Sequence, residues 1–355
     1  MIVLLSFVCF LYFAQVMMVW WFINDGRSNK SVGDGELISE VSVVIPFKSE
    51  KERIHGLIAS INELVIPSQF KVEFIFVDDS SSDDTAAIIK NGLKVDHRII
   101  DSSRKGKKEA LHCGIQEASF DFILTWDADI KVKQNYFEEI SRLPECDLWV
   151  LGVEMVGKDI IQELGAIEFS WLQVLTFNDA QNKKAGLCNG ANLLFKKSVY
   201  EHFSKVREDI LILSGDDFYL LKWMRKNKKD IRAFYSKDSE VQTEAPSTLK
   251  GLLNQRKRWI SKLGAGDSFQ FFIGIISLLI FAFLNYFCLI AVEGRPAILI
   301  LFLVKFAADI SISSLYKARM LKSEEFTSVF FHQFWYPFYL VRLLFHQIKD
   351  EKWSS

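Results

Sequence analysis

The sequence has few proline and glycine residues, which interrupt helices and strands, and it has almost no net charge. It has 6 Pro and 18 Gly among 355 residues, too few for a linker-rich, collagen-like or low-complexity chain. Half of its residues are hydrophobic, which excludes a disordered protein, because a disordered chain cannot bury enough apolar surface. The formal net charge is -1, so no overall basic field attracts nucleic acid. We therefore expect a folded protein with no nucleic-acid partner.

Several ligand-binding patterns are missing as well. The 5 Cys include no Cys-x-x-Cys pair, and the 6 His include no His-x-x-x-His spacing. A disulfide framework and a zinc site are therefore not expected. No Gly stands five residues before Gly106, so the chain has no Walker A loop, and it has no Gly-x-Gly-x-x-Gly dinucleotide motif.

Long hydrophobic runs, by contrast, are present. Residues 1–23 carry no charge and are long enough to cross a hydrocarbon core of about 30 Å as a helix. Residues 269–292 form a second uncharged run, and residues 297–316 a third that contains only Lys305 and Asp309. These two residues are four apart, which favours a neutralised pair between helices over an ion path. The pattern predicts three transmembrane helices.

A fourth run, residues 329–348, can span the membrane, re-enter it or lie at its surface, and the sequence leaves all three open. Basic residues flank the first three runs on one side, which the positive-inside rule makes cytoplasmic. They are Arg27, Lys30, Arg256, Lys257, Arg258, Lys262, Lys317, Arg319 and Lys322. We expect an integral protein of the bacterial inner (plasma) membrane. Its parts would be an anchor at 1–23, a cytosolic domain at about 40–265 and a lipid-contacting region at 269–348.

The cytosolic part alternates between strand and helix patterns. Short β-branched apolar runs predict strands, and apolar residues at helical spacing predict amphipathic helices. The predicted strands are 41–45 (ending at Pro46), 72–77, 95–100 and 122–125; the predicted helices are 51–64, 86–91 and 108–118. This order predicts an α/β domain with a mostly parallel sheet.

Charged side chains follow three of these strands and are expected to converge, because right-handed crossovers bring the carboxyl ends of parallel strands to one edge. They are Lys48, Glu50, Asp78, Asp79, Asp127 and Asp129. Asp127 and Asp129 offer hard oxygen ligands, which suit Mg²⁺ or Mn²⁺ bridging to phosphate oxygens. Acidic pairs are also common in turns, so this pair alone is a weak signal.

Four further segments each have a plain structural interpretation beside a functional one. The basic segment around Lys107 is a solvated turn or a diphosphate contact. Asp216 and Asp217 are helix-capping residues, and a catalytic role is compatible with capping. Residues 188–192 alone predict only a turn. Residues 255–259 combine basic residues with Trp, which on physical grounds favours a membrane-interface anchor.

Together these motifs resemble those of family 2 glycosyltransferases, and most closely the membrane-embedded branch with cellulose, chitin and hyaluronan synthases. The likeness covers about residues 40–265. It implies a Rossmann-like GT-A fold, a nucleotide-diphosphate sugar donor, a divalent cation (Mg²⁺ or Mn²⁺) and inversion at the anomeric carbon. The expected acceptor is lipid-linked or a glycan, and whether transfer is processive stays open.

The resemblance also implies a role for each matching residue. The donor-binding residues would be Glu50, Asp78, Asp79, Lys107, Asp127 and Asp129, with the cation held by Asp127 and Asp129. Asp217 would be the general base. The residues at the diphosphate and acceptor would be Asp216, Gln255, Arg258 and Trp259. Two other functions stay open: a metal-dependent nucleotidyl- or phosphoryl-transferase at the membrane, and a non-enzymatic membrane partner protein.

Overall fold

The computed structural model describes residues 35–181, 188–206, 216–263 and 326–345, together with positions 303 and 307. Apart from positions 303 and 307, the three predicted transmembrane segments lie outside these residues, and so do Lys305 and Asp309. The described residues form two compact units. We call residues 35–156 and 175–244 the sheet unit, and residues 157–174 and those from 245 onward the helical unit.

The sheet unit contains one large and one small β-sheet. Its strands are β1 Glu40–Phe47, β2 Lys71–Asp78, β3 His97–Asp101, β4 Phe122–Trp126, β5 Ile130–Val132, β6 Leu148–Val150, β7 Val153–Val156, β8 Asn192–Lys196, β9 Ile231–Ala233 and β10 Val241–Glu244. The large sheet has the order β3-β2-β1-β4-β8-β6-β9, and the small one β5-β10-β7. In the large sheet only β8 runs antiparallel to its neighbours. The predicted α/β architecture with a mostly parallel sheet is therefore confirmed.

Helices follow the strands as the sequence predicts. They are α1 Ile54–Asn62, α2 Thr85–Gly92, α3 Lys107–Glu117, α4 Tyr136–Ile140, α5 Ile160–Gln181, α6 Lys197–Val206, α7 Asp216–Lys226, α8 Leu249–Leu263 and α9 Phe326–Phe345. Helix α3 lies close against the sheet, because a Cβ at Gly114 would collide with Val44 of β1 and Val77 of β2. This contact fixes the position of Lys107 at the start of α3.

The prediction that Pro46 ends the first strand is wrong. Strand β1 continues to Phe47, and Pro46 lies opposite Val77 of β2. Proline is tolerated here because β4 pairs with β1 only as far as Val44. Beyond Val44, β1 has a partner strand on one side only, where a missing N–H disturbs the ladder least.

The helical unit has an apolar core between α8 and α9. Leu252 and Leu253 of α8 pack with Tyr339, Leu340 and Leu343 of α9. Among the described residues, no helix is both long and apolar enough to cross a membrane. Helix α9 covers most of the fourth hydrophobic run.

Candidate active site

Asp79 is held at the end of β2 by a buried set of contacts. Its side chain is fully buried, and one carboxylate oxygen lies 3.1 Å from the Lys48 ammonium. The other oxygen accepts a 2.7 Å hydrogen bond from the backbone N–H of Gly106. Its own N–H donates to the carbonyl of Phe47. Asp79 therefore joins the ends of β1 and β2 to the loop before α3.

The next residue along that loop reaches the second acidic motif. Lys107 Nζ lies 2.5 Å from Asp127 Oδ1, and both side chains are about 30% exposed. Gly106 has a φ of 122°, a left-handed conformation that is strained for any residue with a Cβ. Two adjacent residues thus contact Asp79 and Asp127, which confirms that these two strand ends meet.

A third contact connects Glu50 with Asp129 through Arg53. The Arg53 guanidinium donates to Glu50 Oε1 at 2.8 Å and to Asp129 Oδ2 at 3.2 Å. Glu50 Oε2 lies 2.7 Å from Arg53, but it accepts no hydrogen bond from any described residue. Burial raises the pKa of the Glu50 carboxyl to about 7; Arg53 opposes this rise, and Asp129 and Asp127 add to it.

The raised pKa of Glu50 predicts a pH dependence of stability. Between pH about 4.5 and about 7 the folded protein binds more protons than the unfolded chain at this site. The free energy of unfolding therefore falls as pH rises through this interval. A tenfold change in acidity corresponds to about 1.4 kcal/mol, so the loss over this interval is at most about 3 to 4 kcal/mol. Glu50→Gln, which cannot ionise, is expected to flatten the profile in denaturant unfolding of the purified protein.

The exposed neighbour Glu52 supplies the matched control. Glu52→Gln makes the same chemical change at an exposed side chain, and its profile is the reference against which Glu50→Gln is compared. An unchanged profile in Glu50→Gln would show that Glu50 ionises in the folded protein as it does in water.

Asp127 and Asp129 have the chemistry of a divalent-cation site. Burial, followed by the charge of Asp127, raises the pKa of Asp129, so a cation between the two carboxylates would relieve their repulsion. In the part of the chain that the structure describes, no group of three or more His, Cys, Asp or Glu side chains is arranged to hold a metal ion. Mg²⁺ is typically bound by one or two carboxylates together with water and substrate phosphates. The pair therefore fits a cation whose remaining ligands come from the substrate.

Asp78 has a different environment from Asp79. Its carboxylate accepts a 2.7 Å hydrogen bond from the N–H of Ser81, which closes the turn after β2. In the same turn Ser80 has a φ of 60°, and Ser49 after β1 has a φ of 52°. Ser49 contacts this turn through the Ser81 hydroxyl at 3.0 Å. Asp78 thus shapes the loop, and Asp79 is the buried acid.

The loop before α2 is also held by side chains. Asp83 accepts hydrogen bonds from the N–H and hydroxyl of Thr85. Asp84, at the N-cap, makes no side-chain capping bond. The side chain that holds the start of α2 is therefore that of Asp83.

Asp217 lies in the first turn of α7. Its Oδ2 accepts a 3.1 Å hydrogen bond from the N–H of Gly190, and its Oδ1 accepts one of 2.8 Å from the N–H of Phe218. The Cys188 thiol donates to the Asp217 carbonyl at 3.4 Å. The turn at 188–192 and Asp217 therefore form one local structure. The side chain of Asp216 lies outside the described atoms.

A family model decides what this arrangement belongs to. The glycosyl transferase family 2 model matches residues 42–203, which include β1 to β4 with Asp79, Asp127 and Asp129. Residues 42–203 carry a family 2 glycosyltransferase domain. The glycosyltransferase class predicted from the sequence is thereby confirmed for this domain, whereas the membrane-embedded branch and the residue roles stay predictions.

Curated relatives of this glycosyltransferase domain include two bacterial enzymes. A poly-β-1,6-N-acetyl-D-glucosamine synthase of Staphylococcus epidermidis is 24% identical over 275 residues, which is 70% of this chain and 63% of the relative. An undecaprenyl-phosphate 4-deoxy-4-formamido-L-arabinose transferase of Proteus mirabilis is 34% identical over 112 residues, 30% of this chain and 33% of the relative. The chain thus spans less than two thirds of the length of either relative.

A solved structure supports the fold. A mannosyltransferase from Pyrobaculum calidifontis, in complex with GDP-Man and Mn²⁺, aligns with 96% of this chain and 97% of its own. The TM-score is 0.53 and the sequence identity 15%. At this identity the match supports a GT-A-like fold and nothing more specific.

In the helical unit, Arg256 organises the segment that resembles the family's diphosphate and acceptor motif. It is buried and contacts Glu168 Oε2 at 2.6 Å, the Gly165 carbonyl at 2.8 Å and Gln255 Oε1 at 2.5 Å. Its guanidinium lies 4.3 Å from the centre of the Trp259 ring, within cation–π range. Gln255 and Trp259 are thus both held by Arg256.

Sequence reasoning missed some residues that hold these sites. Arg256 and Glu168 are 88 positions apart, so no local sequence pattern connects them. From the sequence, Arg256 is interpreted only as a basic residue that flanks a membrane segment. Arg258, to which the resemblance gives a role, is exposed. Arg53 was also missed. It stands three residues after Glu50, at the start of a predicted helix, and this spacing indicates a possible ion pair.

Proposed function

We propose that this protein transfers a sugar from a nucleotide-diphosphate sugar to a hydroxyl of a lipid-linked or glycan acceptor. The observation that carries the proposal is the loop at Gly106 and Lys107, which holds Asp79 and Asp127 together at one edge of the sheet. Packing does not require acidic groups to converge in this way. Binding a donor that carries a diphosphate and a cation does require acidic groups at one place.

In this proposal Asp79, Asp78 and Glu50 bind the nucleoside part of the donor. Asp127 and Asp129 hold Mg²⁺ or Mn²⁺, which when bound stabilises negative charge on the departing nucleoside diphosphate. Lys107 adds a positive charge next to this pair.

Asp217 receives the proton of the acceptor hydroxyl as that oxygen attacks the anomeric carbon from the face opposite the leaving group. The bond from the anomeric carbon to the diphosphate breaks with its electron pair on the diphosphate. Direct displacement of this kind inverts the anomeric centre. Gln255, Arg258 and Trp259 contribute contacts to diphosphate and acceptor, and Asp216 lies next to the base in the chain.

The proposed location is the bacterial inner membrane, with the sheet unit in the cytoplasm. Its support is the uncharged runs at 1–23 and 269–292 and the basic residues beside them. Helix α9 also exposes Phe338 and Phe345. A lipid-linked acceptor would be presented at such a surface.

The test is incubation of the purified protein with Mn²⁺, membrane lipid extract and a panel of labelled nucleotide sugars. We expect one donor to be discharged, with label entering lipid or polymer and free nucleoside diphosphate released. A matched reaction with EDTA should be inactive, because the two carboxylates would then lack the cation. Release of pyrophosphate would instead indicate a nucleotidyltransferase. Failure to bind any nucleotide would favour the non-enzymatic partner protein.

A further inference from the structure

The turn at residues 188–192 holds Asp217 at two points. The Gly190 N–H donates to its carboxylate at 3.1 Å, and the Cys188 thiol donates to its carbonyl at 3.4 Å. In the sequence this segment predicts a turn and nothing more. In the structure its Gly190 N–H holds one oxygen of the Asp217 carboxylate, and the Phe218 N–H holds the other.

The same turn is bound to the strand that precedes the acidic pair. The Thr125 hydroxyl of β4 donates to the Gly190 carbonyl at 2.6 Å, with a second, longer contact of 3.4 Å to the Leu193 carbonyl. Thr125 is buried and stands two residues before Asp127. Both backbone groups of Gly190 are thus used: its carbonyl by Thr125 and its N–H by Asp217.

The rest of the turn gives it little freedom to move. Asn189 closes it by accepting a 3.0 Å hydrogen bond from the Ala191 N–H. Asn192 is fully buried; its side chain accepts from the Tyr136 hydroxyl at 2.6 Å and donates to the Gly152 carbonyl at 2.7 Å. A displacement of Gly190 would therefore be passed to Asp217 rather than absorbed by the turn.

We propose that Thr125 is a positioning residue: through Gly190 it sets the Asp217 carboxylate in register with Asp127 and Asp129, the acidic pair that follows β4. The proposal rests on the proposed role of Asp217 as general base. In this proposal Thr125 contacts neither donor nor acceptor and acts only through Gly190. It acts by fixing the distance between two parts of the site that lie on different segments of the chain.

Thr125→Val keeps the shape of the side chain and removes only the hydroxyl donor. We expect the turnover number to fall about tenfold, since a misplacement of about 1 Å can cost up to about 10²-fold. The KM for the donor and the affinity for its nucleotide should stay within about twofold. Thr125→Ser, which restores the hydroxyl, should recover most of the turnover. Thr243→Val, in β10 of the small sheet, is the matched control and should behave as wild type.

A double-mutant cycle separates positioning of Asp217 from a general structural effect. If Thr125 acts through Asp217, Thr125→Val should lower turnover much less in the Asp217→Asn background than in wild type. An equal loss in both backgrounds would overturn the proposal, as would a loss that Thr125→Ser does not repair.

The outcomes also separate this inference from the proposed function. Asp217→Asn with full turnover would remove the general base, and Thr125's role with it. If Asp217→Asn is inactive while Thr125→Val keeps full turnover, the proposed function stands and only the positioning role of Thr125 is refuted.

Discussion

Asp217→Asn is expected to lower the turnover number by about 10² to 10⁴-fold, the usual contribution of a general base. An amide cannot take a proton from the acceptor hydroxyl, although it has nearly the same shape. Its oxygen can still accept a hydrogen bond from the N–H of Gly190 or Phe218, so the start of α7 should stay folded. Nucleotide binding should be unchanged, because the donor site is built around Asp79 and the pair at Asp127 and Asp129.

The measurement is single-turnover transfer from the donor that the nucleotide-sugar panel identifies, together with equilibrium binding of its nucleotide. Asp121→Asn is the matched control: Asp121 is exposed, directly before β4, and belongs to no site described here. It should transfer sugar at the wild-type rate. Full turnover by Asp217→Asn would require another base, and a loss of nucleotide binding would mean that Asp217 supports the donor site structurally.

The main features of the sheet unit follow from sequence because each is encoded locally. Strands β1, β2 and β4 are short apolar runs, and in β1 Val43, Val44 and Ile45 are all buried, as expected for a strand covered on both faces. Acids at the ends of these strands were predicted to meet at one edge, and the contacts through Gly106 and Lys107 confirm this for two strand ends.

What sequence did not predict depends on contacts between distant segments. Strands β5, β7 and β10 are three or four residues long and pair only with one another, so no periodicity identifies them. The difference between Asp78 and Asp79 depends on which side chain points into the protein; an adjacent pair of identical residues gives no clue. Thr125 and Gly190 are 65 positions apart, and their contact exists only once β8 pairs with β4.

Asp79→Asn is expected to abolish measurable donor binding and also to destabilise the protein. The carboxylate lies between the Lys48 ammonium and the Gly106 N–H, both of which donate. The amide oxygen can face only one of them, so its NH₂ group must face the other donor. Removing one partner of a buried ion pair costs about 3–5 kcal/mol. Since the Lys48 side chain is 26% exposed, we expect a loss nearer about 2 kcal/mol in denaturant unfolding.

The double variant Lys48→Met with Asp79→Asn separates the two effects. Methionine removes the ammonium that faces the new amide, so most of the lost stability should return, as is often found when both members of a buried ion pair are replaced. Donor binding should remain lost, because the carboxylate that would accept hydrogen bonds from the nucleoside is still absent. Lys48→Met alone tests whether the ammonium itself supports binding. Recovery of donor affinity together with stability in the double variant would show that Asp79 only holds the loop at Gly106. The nucleoside contact would then have to be assigned to Asp78 or Glu50.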